Sequence, residues 1–376
     1  MRVMFSGVSL YGHTLPLLPL ARAFHRRGDD VVLALPASFM PVFSAEPFRM
    51  FAAGADTATV VAEVHRLCGV DLLTAPTPEA EIEALAGTRV DMSVTDLLAA
   101  ATQWWPELIV HDPYDYAAPL IAAELGVPTV VVTLGPGVSP TFERAAARKV
   151  APRYRARGLT PGPPAHVLDV CPPGLSGGEG AAPSAGRLPM RPEPHHAPDG
   201  AATRALSWPS GSPRVLVTFG TAYSGVPVVG PVVRALAGTG AAVRVTVGQD
   251  GPSDGFATAP GPVAYEPFAP LVDLLDGADL VVAHGGAGTV LGTLSEALPM
   301  VLLPQGADQF THTERAAGAG AAIGLTGGAA TAEATVAAVA ELVAEPSYRR
   351  AARTVAAEIA AMPSPDEVAA TLAGPS

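Results

Sequence analysis

The feature that most restricts the fold of this chain is a repeated unit. A short apolar run is followed by a Gly-bearing loop, an amphipathic stretch and another apolar run. At the amino end, Val3 to Phe5 reads as a strand and Ser6 to Thr14 as a loop. Leu15 to Arg27 reads as a helix with Leu17, Leu18, Ala21 and Phe24 on one face. Gly28 stops that helix, and Val31 to Leu35 is the next strand, closed by Pro36. Such a strand–helix–strand run joins parallel neighbours. The unit returns with a strand from Leu108 to Val110, a helix from Tyr116 to Leu125 and a strand from Val127 to Thr133.

A second set begins with strands from Arg214 to Thr218, Ala242 to Val247, Leu280 to Ala283 and Val301 to Leu303. Thr289 to Ala297 reads as a helix after a Gly-rich turn, and the Ala-rich tail from Ala332 to Ala361 as helical. Between the sets, Pro161 to Ser212 is dense in Pro, Gly and small residues, which predicts a loop and an inter-domain linker. The expected fold class is α/β, with two Rossmann-like, doubly wound parallel-sheet domains facing a cleft. Residues 1–192 form the first domain, 193–212 the linker and 213–357 the second. Residues 358–376 form a C-terminal helix that packs back on the first domain. Ligands of such sheets bind outside the carboxyl ends of the strands.

Composition narrows the function. Hydrophobic residues make up 49% of the chain and charged residues 15%, enough for buried cores. The net charge is −12 and Lys149 is the single lysine, which argues against a nucleic-acid partner. Cys68 and Cys171 are too few for a disulfide framework or a zinc pattern and fit a reducing compartment. No run approaches the ~18–20 apolar residues of a membrane span, and the apolar start is too short for a signal peptide. The expectation is a soluble, cytoplasmic protein without integral membrane association.

The strongest local motif is AHGGAGTVLG, Ala283 to Gly292, directly after the strand Leu280 to Ala283. Glycines let the backbone turn and approach a ligand, and the following helix start aims free N–H groups at an anion. Gly286, Ala287, Gly288 and Thr289 would cradle a diphosphate without a lysine, and His284 would add a hydrogen bond or a positive charge. Two other readings stay open on the motif alone. One is a structural turn with a capping histidine. The other is a dinucleotide site of an NAD(P)-dependent oxidoreductase, with Asp308 as the acidic ribose ligand. The Gly286-x-Gly288…Gly292 spacing is one residue long for that fingerprint, and Pro304 to Ala307 separates Asp308 from its strand.

Four segments, in order, carry a resemblance. They are FSGVSLYGHTLPLLPLARAFHRRG (Phe5 to Gly28), LIVHDPYDYAAPLIAAELGVP (Leu108 to Pro128), VTFGT (Val217 to Thr221) and HGGAGT…ALPMVLLPQGADQF (His284 to Phe310). Together they resemble the GT-B glycosyltransferases of the UDP-glycosyltransferase superfamily, most of all actinobacterial members that attach deoxysugars to polyketide and enediyne antibiotics. The resemblance implies a first domain for the acceptor and a second for the nucleotide-sugar donor. It places His284, Gly286, Gly288 and Thr289, with Gly220 and Thr221, on the diphosphate. Phe268 and Ala269 fall where the family contacts the base, and Asp308 and Gln309 match its Asp-Gln pair on the sugar hydroxyls. Members with ribonucleotide donors often carry a Glu on the helix after the turn. Gly292 stands there, which favours a dTDP-sugar over a UDP-sugar, although Glu296 lies one turn further along.

The same resemblance turns His13 from a surface or capping residue into a general base, and Asp112 into the carboxylate that orients it. Asp115, a candidate helix cap, and His111 are the competitors. The implied reaction is a direct displacement with inversion, and no metal or other cofactor is expected. Phe39, Met40, Trp104, Trp105 and Phe142 suit a hydrophobic acceptor or an ordinary core. The loop from Pro173 to Gly186 reads as a lid or as part of the linker. The expected partners are a small-molecule donor and a hydrophobic acceptor. A homodimer is left open, as is a non-catalytic partner protein that keeps this fold.

Overall fold

In this computed structural model, the apolar runs of the amino half pair as parallel strands. The structure describes all residues except 73–74, 138, 177–185, 199–205, 222–225, 249–260 and 375–376, so most of the loop from Pro173 to Gly186 lies outside the described residues. In chain order the elements are β1 (Arg2–Ser6), α1 (Tyr11–Thr14), α2 (Leu18–Arg26), β2 (Asp30–Leu35), β3 (Arg49–Ala52), α3 (Thr57–Cys68), α4 (Pro78–Ile82), α5 (Arg89–Trp104), β4 (Leu108–His111), α6 (Ala117–Leu125), β5 (Thr129–Val132), α7 (Pro140–Ala156), β6 (His166–Asp169) and β7 (Arg187–Pro189). Among the described residues they form a seven-stranded sheet in the order β3-β2-β1-β4-β5-β6-β7. Met4, Val32 and Ile109 pack with Trp104, Leu120 and Ile121 in the core. Each such large side chain contributes about 1.5–3 kcal/mol by leaving water.

Strand order reverses between β1 and β4, where Ser6 is in register with His111. Gly7 and Asp112 therefore leave the sheet side by side, at the place where doubly wound sheets bind ligands.

Two expectations change. The helix after β1 begins at Tyr11 and is divided into α1, a 3-10 turn Leu15–Leu17 and α2. Pro16 and Pro19 each sit at the start of a new segment, where their missing N–H costs nothing. His13 is thus held in a helical turn rather than a loop. In addition, the stretch from Pro161 to Ser212 is not all connection, since it contains β6 and β7, which extend the first sheet. These are short strands flanked by Pro and Gly, and the apolar pair Val167-Leu168 is too brief to stand out in the sequence.

The second unit contains β8 (Arg214–Thr218), α8 (Val229–Gly238), β9 (Ala242–Thr246), β10 (Val263–Glu266), α9 (Leu271–Leu275), β11 (Leu280–Ala283), α10 (Ala287–Ser295), β12 (Met300–Leu302), α11 (Gln309–Gly318), β13 (Ala322–Gly324), α12 (Ala332–Ala344) and α13 (Pro346–Ala361). Its parallel sheet runs β10-β9-β8-β11-β12-β13, and the order reverses between β8 and β11. Ala283 is in register with Thr218, so Phe219 and His284 leave this sheet together. Within residues 193–212, Trp208 donates its indole N–H to the Asp276 carbonyl at 2.8 Å. The fully buried Arg244 guanidinium lies 3.9 Å over the Trp208 ring and donates to the carbonyls of Leu206 and Leu274.

The two units are discontinuous in sequence. One comprises Met1–Val170, Pro183–Met190 and Pro363–Ser376; the other comprises Cys171–Ala182 and Arg191–Met362. The expected break at 357/358 falls inside α13. The chain turns instead at residues 362–364, before α14 (Pro365–Ala373), which rejoins the first unit. A capping box between Ser364 and Glu367 starts α14. Asp366 then takes both Arg26 nitrogens of α2 at 2.9–3.0 Å.

Candidate active site

In the first unit, Asp112 follows β4 and is completely buried. Its Oδ2 accepts the Val8 N–H at 2.8 Å, and its Oδ1 accepts the Tyr114 N–H at 2.9 Å and meets His13 Nδ1 at 3.0 Å. Burial pushes the carboxyl up, but the His13 ring and the two backbone amides outweigh it and hold the Asp112 pKa below its ordinary value. An ionised carboxylate only accepts, so His13 Nδ1 carries the proton and donates. Nε2 is then the basic nitrogen. The His13 side chain is 19% exposed, so it can meet a ligand while its partner stays dry.

The competitors are otherwise engaged. Asp115, one residue before the Tyr116 N-cap, accepts the N–H groups of Ala117 and Ala118 and the Ser6 hydroxyl, so it is committed to the start of α6. His111 is buried, with Nδ1 on the Asp112 carbonyl at 2.8 Å.

Aromatic rings flank the dyad. Tyr114 sets its ring edge-on to His13 at 5.2 Å and to Phe142 at 5.7 Å, and Tyr11 packs on Phe39 at 4.9 Å. Phe39, Met40 and Phe142 are half-buried. The two tryptophans do not belong with them. Trp104 is in the core, and the Trp105 carbonyl accepts from Arg2 at the amino end of β1, the end remote from His13. An apolar residue after a long helix is indistinguishable in sequence from an acceptor contact.

In the second unit, Gly286 is the extended N-cap of α10, which starts at Ala287, two residues earlier than expected. Ala287, Gly288 and Thr289 therefore form the first turn, whose N–H groups have no intrahelical acceptor. His284 is stacked on Phe219 at 6.2 Å and lies between two glycines. A first side-chain carbon would sit 3.0 Å from its ring at Gly220 and 2.5 Å from its Nε2 at Gly286. Burial pushes the His284 pKa down to about 4, against a hydrogen bond with the Thr218 backbone and the nearby Asp308. The ring is therefore neutral at neutral pH, so it offers a hydrogen bond rather than a positive charge.

Gly288 has open space where a side chain would stand. At Gly292 a first side-chain carbon would lie 2.6 Å from the Leu271 side-chain end and 3.0 Å from Pro194, so the glycine lets α10 pack closely on both. Thr221 is exposed, and Phe268 and Ala269 are half-buried before α9, with the Phe268 ring 5.8 Å from His195.

Asp308 is partly exposed at the start of α11, with His312 Nε2 at 3.8 Å from its carboxylate. Gln309 is buried. Its side-chain oxygen accepts the N–H groups of Gln305 and Gly306, so it holds the loop after β12. His312, not singled out in the sequence, holds the Gly285 carbonyl at 3.0 Å. Arg89 was equally hidden, because a charged residue at a helix start reads as solvated. It is 5% exposed and bonds to Gly7 and Ser9. Among the described residues, no three His, Cys, Asp or Glu side chains are grouped to hold a metal ion, and no helix is long and apolar enough to cross a membrane.

Both halves of the chain match one family, described as erythromycin biosynthesis protein CIII-like. Its N-terminal domain model matches residues 22–182 and its C-terminal domain model residues 233–374. L-demethylnoviosyl transferase from Streptomyces niveus is 29% identical over 99% of this chain and 98% of its own. Elloramycin glycosyltransferase ElmGT from Streptomyces olivaceus is also 29% identical, over 99% and 97%. The crystal structure of glycosyltransferase SsfS6 from Streptomyces sp. SF2575, complexed with thymidine diphosphate, superposes with a TM-score of 0.78 at 25% identity and covers 100% of both chains. The chain therefore belongs to the erythromycin biosynthesis protein CIII-like family and is a nucleotide-sugar glycosyltransferase of the GT-B fold.

Proposed function

We propose that this glycosyltransferase moves a deoxysugar from a dTDP-sugar to a hydroxyl of a hydrophobic natural-product acceptor, with inversion at the anomeric carbon. The observation that carries the reading is the 3.0 Å contact between His13 Nδ1 and the buried Asp112 carboxylate. Asp112 fixes the tautomer and steadies the charge that His13 acquires. His13 Nε2 takes the acceptor proton as the acceptor oxygen attacks the anomeric carbon. The bond from that carbon to the diphosphate oxygen breaks, and dTDP leaves with the electron pair. The first-turn amides of α10 and the neutral His284 ring hold the developing negative charge. Asp308 is the group proposed to bind sugar hydroxyls, with Gln309 supporting its loop. Phe268 and Ala269 are proposed to contact the base.

The donor preference rests on Gly292, which supplies no carboxylate for ribose hydroxyls and whose first side-chain carbon would press on Leu271 and Pro194. The SsfS6 complex with thymidine diphosphate supports the same choice. Two measurements test the reading. Calorimetry should show tighter binding of dTDP than of UDP, and equal affinities would remove the donor assignment. His13→Ala should lower kcat by about 100-fold or more and leave dTDP affinity near that of the parent, since the base acts in the chemical step. Near-normal turnover would take His13 out of the mechanism.

A further inference from the structure

Arg89 opens α5 beneath the loop that follows β1. Its Nη2 donates to the Gly7 carbonyl at 2.5 Å and its Nη1 to the Ser9 hydroxyl at 3.0 Å. Val8, between these two anchors, supplies the N–H that reaches Asp112 Oδ2 at 2.8 Å. The guanidinium thus braces the segment that braces the dyad carboxylate. It also carries charge into a dry place. Burial pushes its pKa down, while the carboxylates of Asp115 and Asp112 push it back up, and a guanidinium remains protonated throughout the working range.

Two carboxylates and one cation are therefore buried behind a single, partly exposed imidazole. Among the described residues, the other groups named against the dyad are not cations. Tyr11 and Tyr114 are phenols, and burial, then Glu143 and Asp112, raises Tyr116 so that its hydroxyl stays neutral. Glu143 on α7 is itself pushed up by burial, and His111 bonds to the Asp112 carbonyl. Without Arg89, the Asp112–Asp115 pair would lose the cation that both carboxylates act on, and a protonated His13 would remain in contact with Asp112. Opposite charges at short range favour the charged form of each partner, most strongly where water is excluded.

We propose that Arg89 is a positioning residue for the transfer site. It holds the Gly7–Ser9 loop against Asp112 and offsets the Asp112–Asp115 pair, which leaves the His13 ring free to take the acceptor proton. The proposal rests on His13 being the base, but its test does not depend on turnover. The His13 ring signals are followed by NMR against pH, assigned by their loss in His13→Gln, in Arg89→Met, Arg89→Lys, Asp115→Asn and the Arg89→Met/Asp115→Asn double variant. In Arg89→Met the titration midpoint should rise by about one pH unit, a tenfold loss of neutral ring on the acid side. Arg89→Lys should stay near the parent, Asp115→Asn should move the other way, and the double variant should return towards the parent. The acid limb of the kcat–pH profile should follow the midpoint.

A folded Arg89→Met protein with an unmoved His13 titration overturns the proposal. If that variant does not fold, Asp115→Asn decides alone, because asparagine keeps the side-chain oxygen that accepts the Ala117 and Ala118 amides. An unmoved titration there overturns the proposal equally. If the titration moves but the kcat limb does not, the role of Arg89 stands and His13 is not the base.

Discussion

Several residues owe their chemistry to neighbours distant in sequence. Ninety-nine positions separate His13 from Asp112. Only the family resemblance singled them out in the sequence; in the fold, Asp112 directly follows β4, and His13 stands in the helical turn beyond the neighbouring β1. Arg89 and His312 were not legible, since each depends on a carbonyl that only the folded loop presents. His284 has a thermodynamic consequence. Its folded pKa of about 4 lies below the ordinary 6.5, so the unfolded chain takes up its proton first as pH falls. The stability linked to a neutral His284 is complete above about pH 6.5 and is lost progressively towards pH 4. Between pH 7 and pH 5 this amounts to about 2 kcal/mol. His284→Gln should remove that part of the acid sensitivity, measured as urea unfolding at the two pH values. An unchanged pH slope would show that the ring is not held neutral.

At the scale of elements, strands that are apolar almost throughout announced themselves, and those with only a pair of apolar residues did not. β1, β4, β8 and β11 are central strands, buried on both faces, and they carry both sites. β6 and β7 sit at one edge of their sheet, where a few residues suffice, and their Pro-rich surroundings disguised them. The start of α10 offers a decisive comparison between two glycines. Gly286→Ala drives a methyl group into His284 Nε2, so it should disturb the turn whether or not a ligand binds there. Gly288→Ala meets open space in the protein and replaces glycine by the best helix former, so it should leave thermal stability unchanged or raise it. If the first turn grips a diphosphate, the same change should weaken dTDP binding by about tenfold or more through contact with the ligand. Unaltered dTDP affinity in Gly288→Ala would place the diphosphate elsewhere.

For the whole molecule, the proposed reaction assigns the leaving group to helix-terminal amides and a neutral histidine, and on that reading no divalent ion is expected. Activity should persist in excess EDTA, and loss restored by magnesium would contradict this. The two-unit plan was legible as two sets of strand–helix units, but the route of the chain between them was not. Pro183–Met190 and Pro363–Ser376 both return to the first unit after residues of the second have begun. A nascent chain therefore makes β1 to β6 early, yet α14 emerges only after α8 to α13. Until then the α2 surface that α14 covers, including Arg26, lacks its cover. During biosynthesis the second unit has all of its parts before the first does. The unit that holds β1 therefore draws its last helix from beyond every element of the other unit.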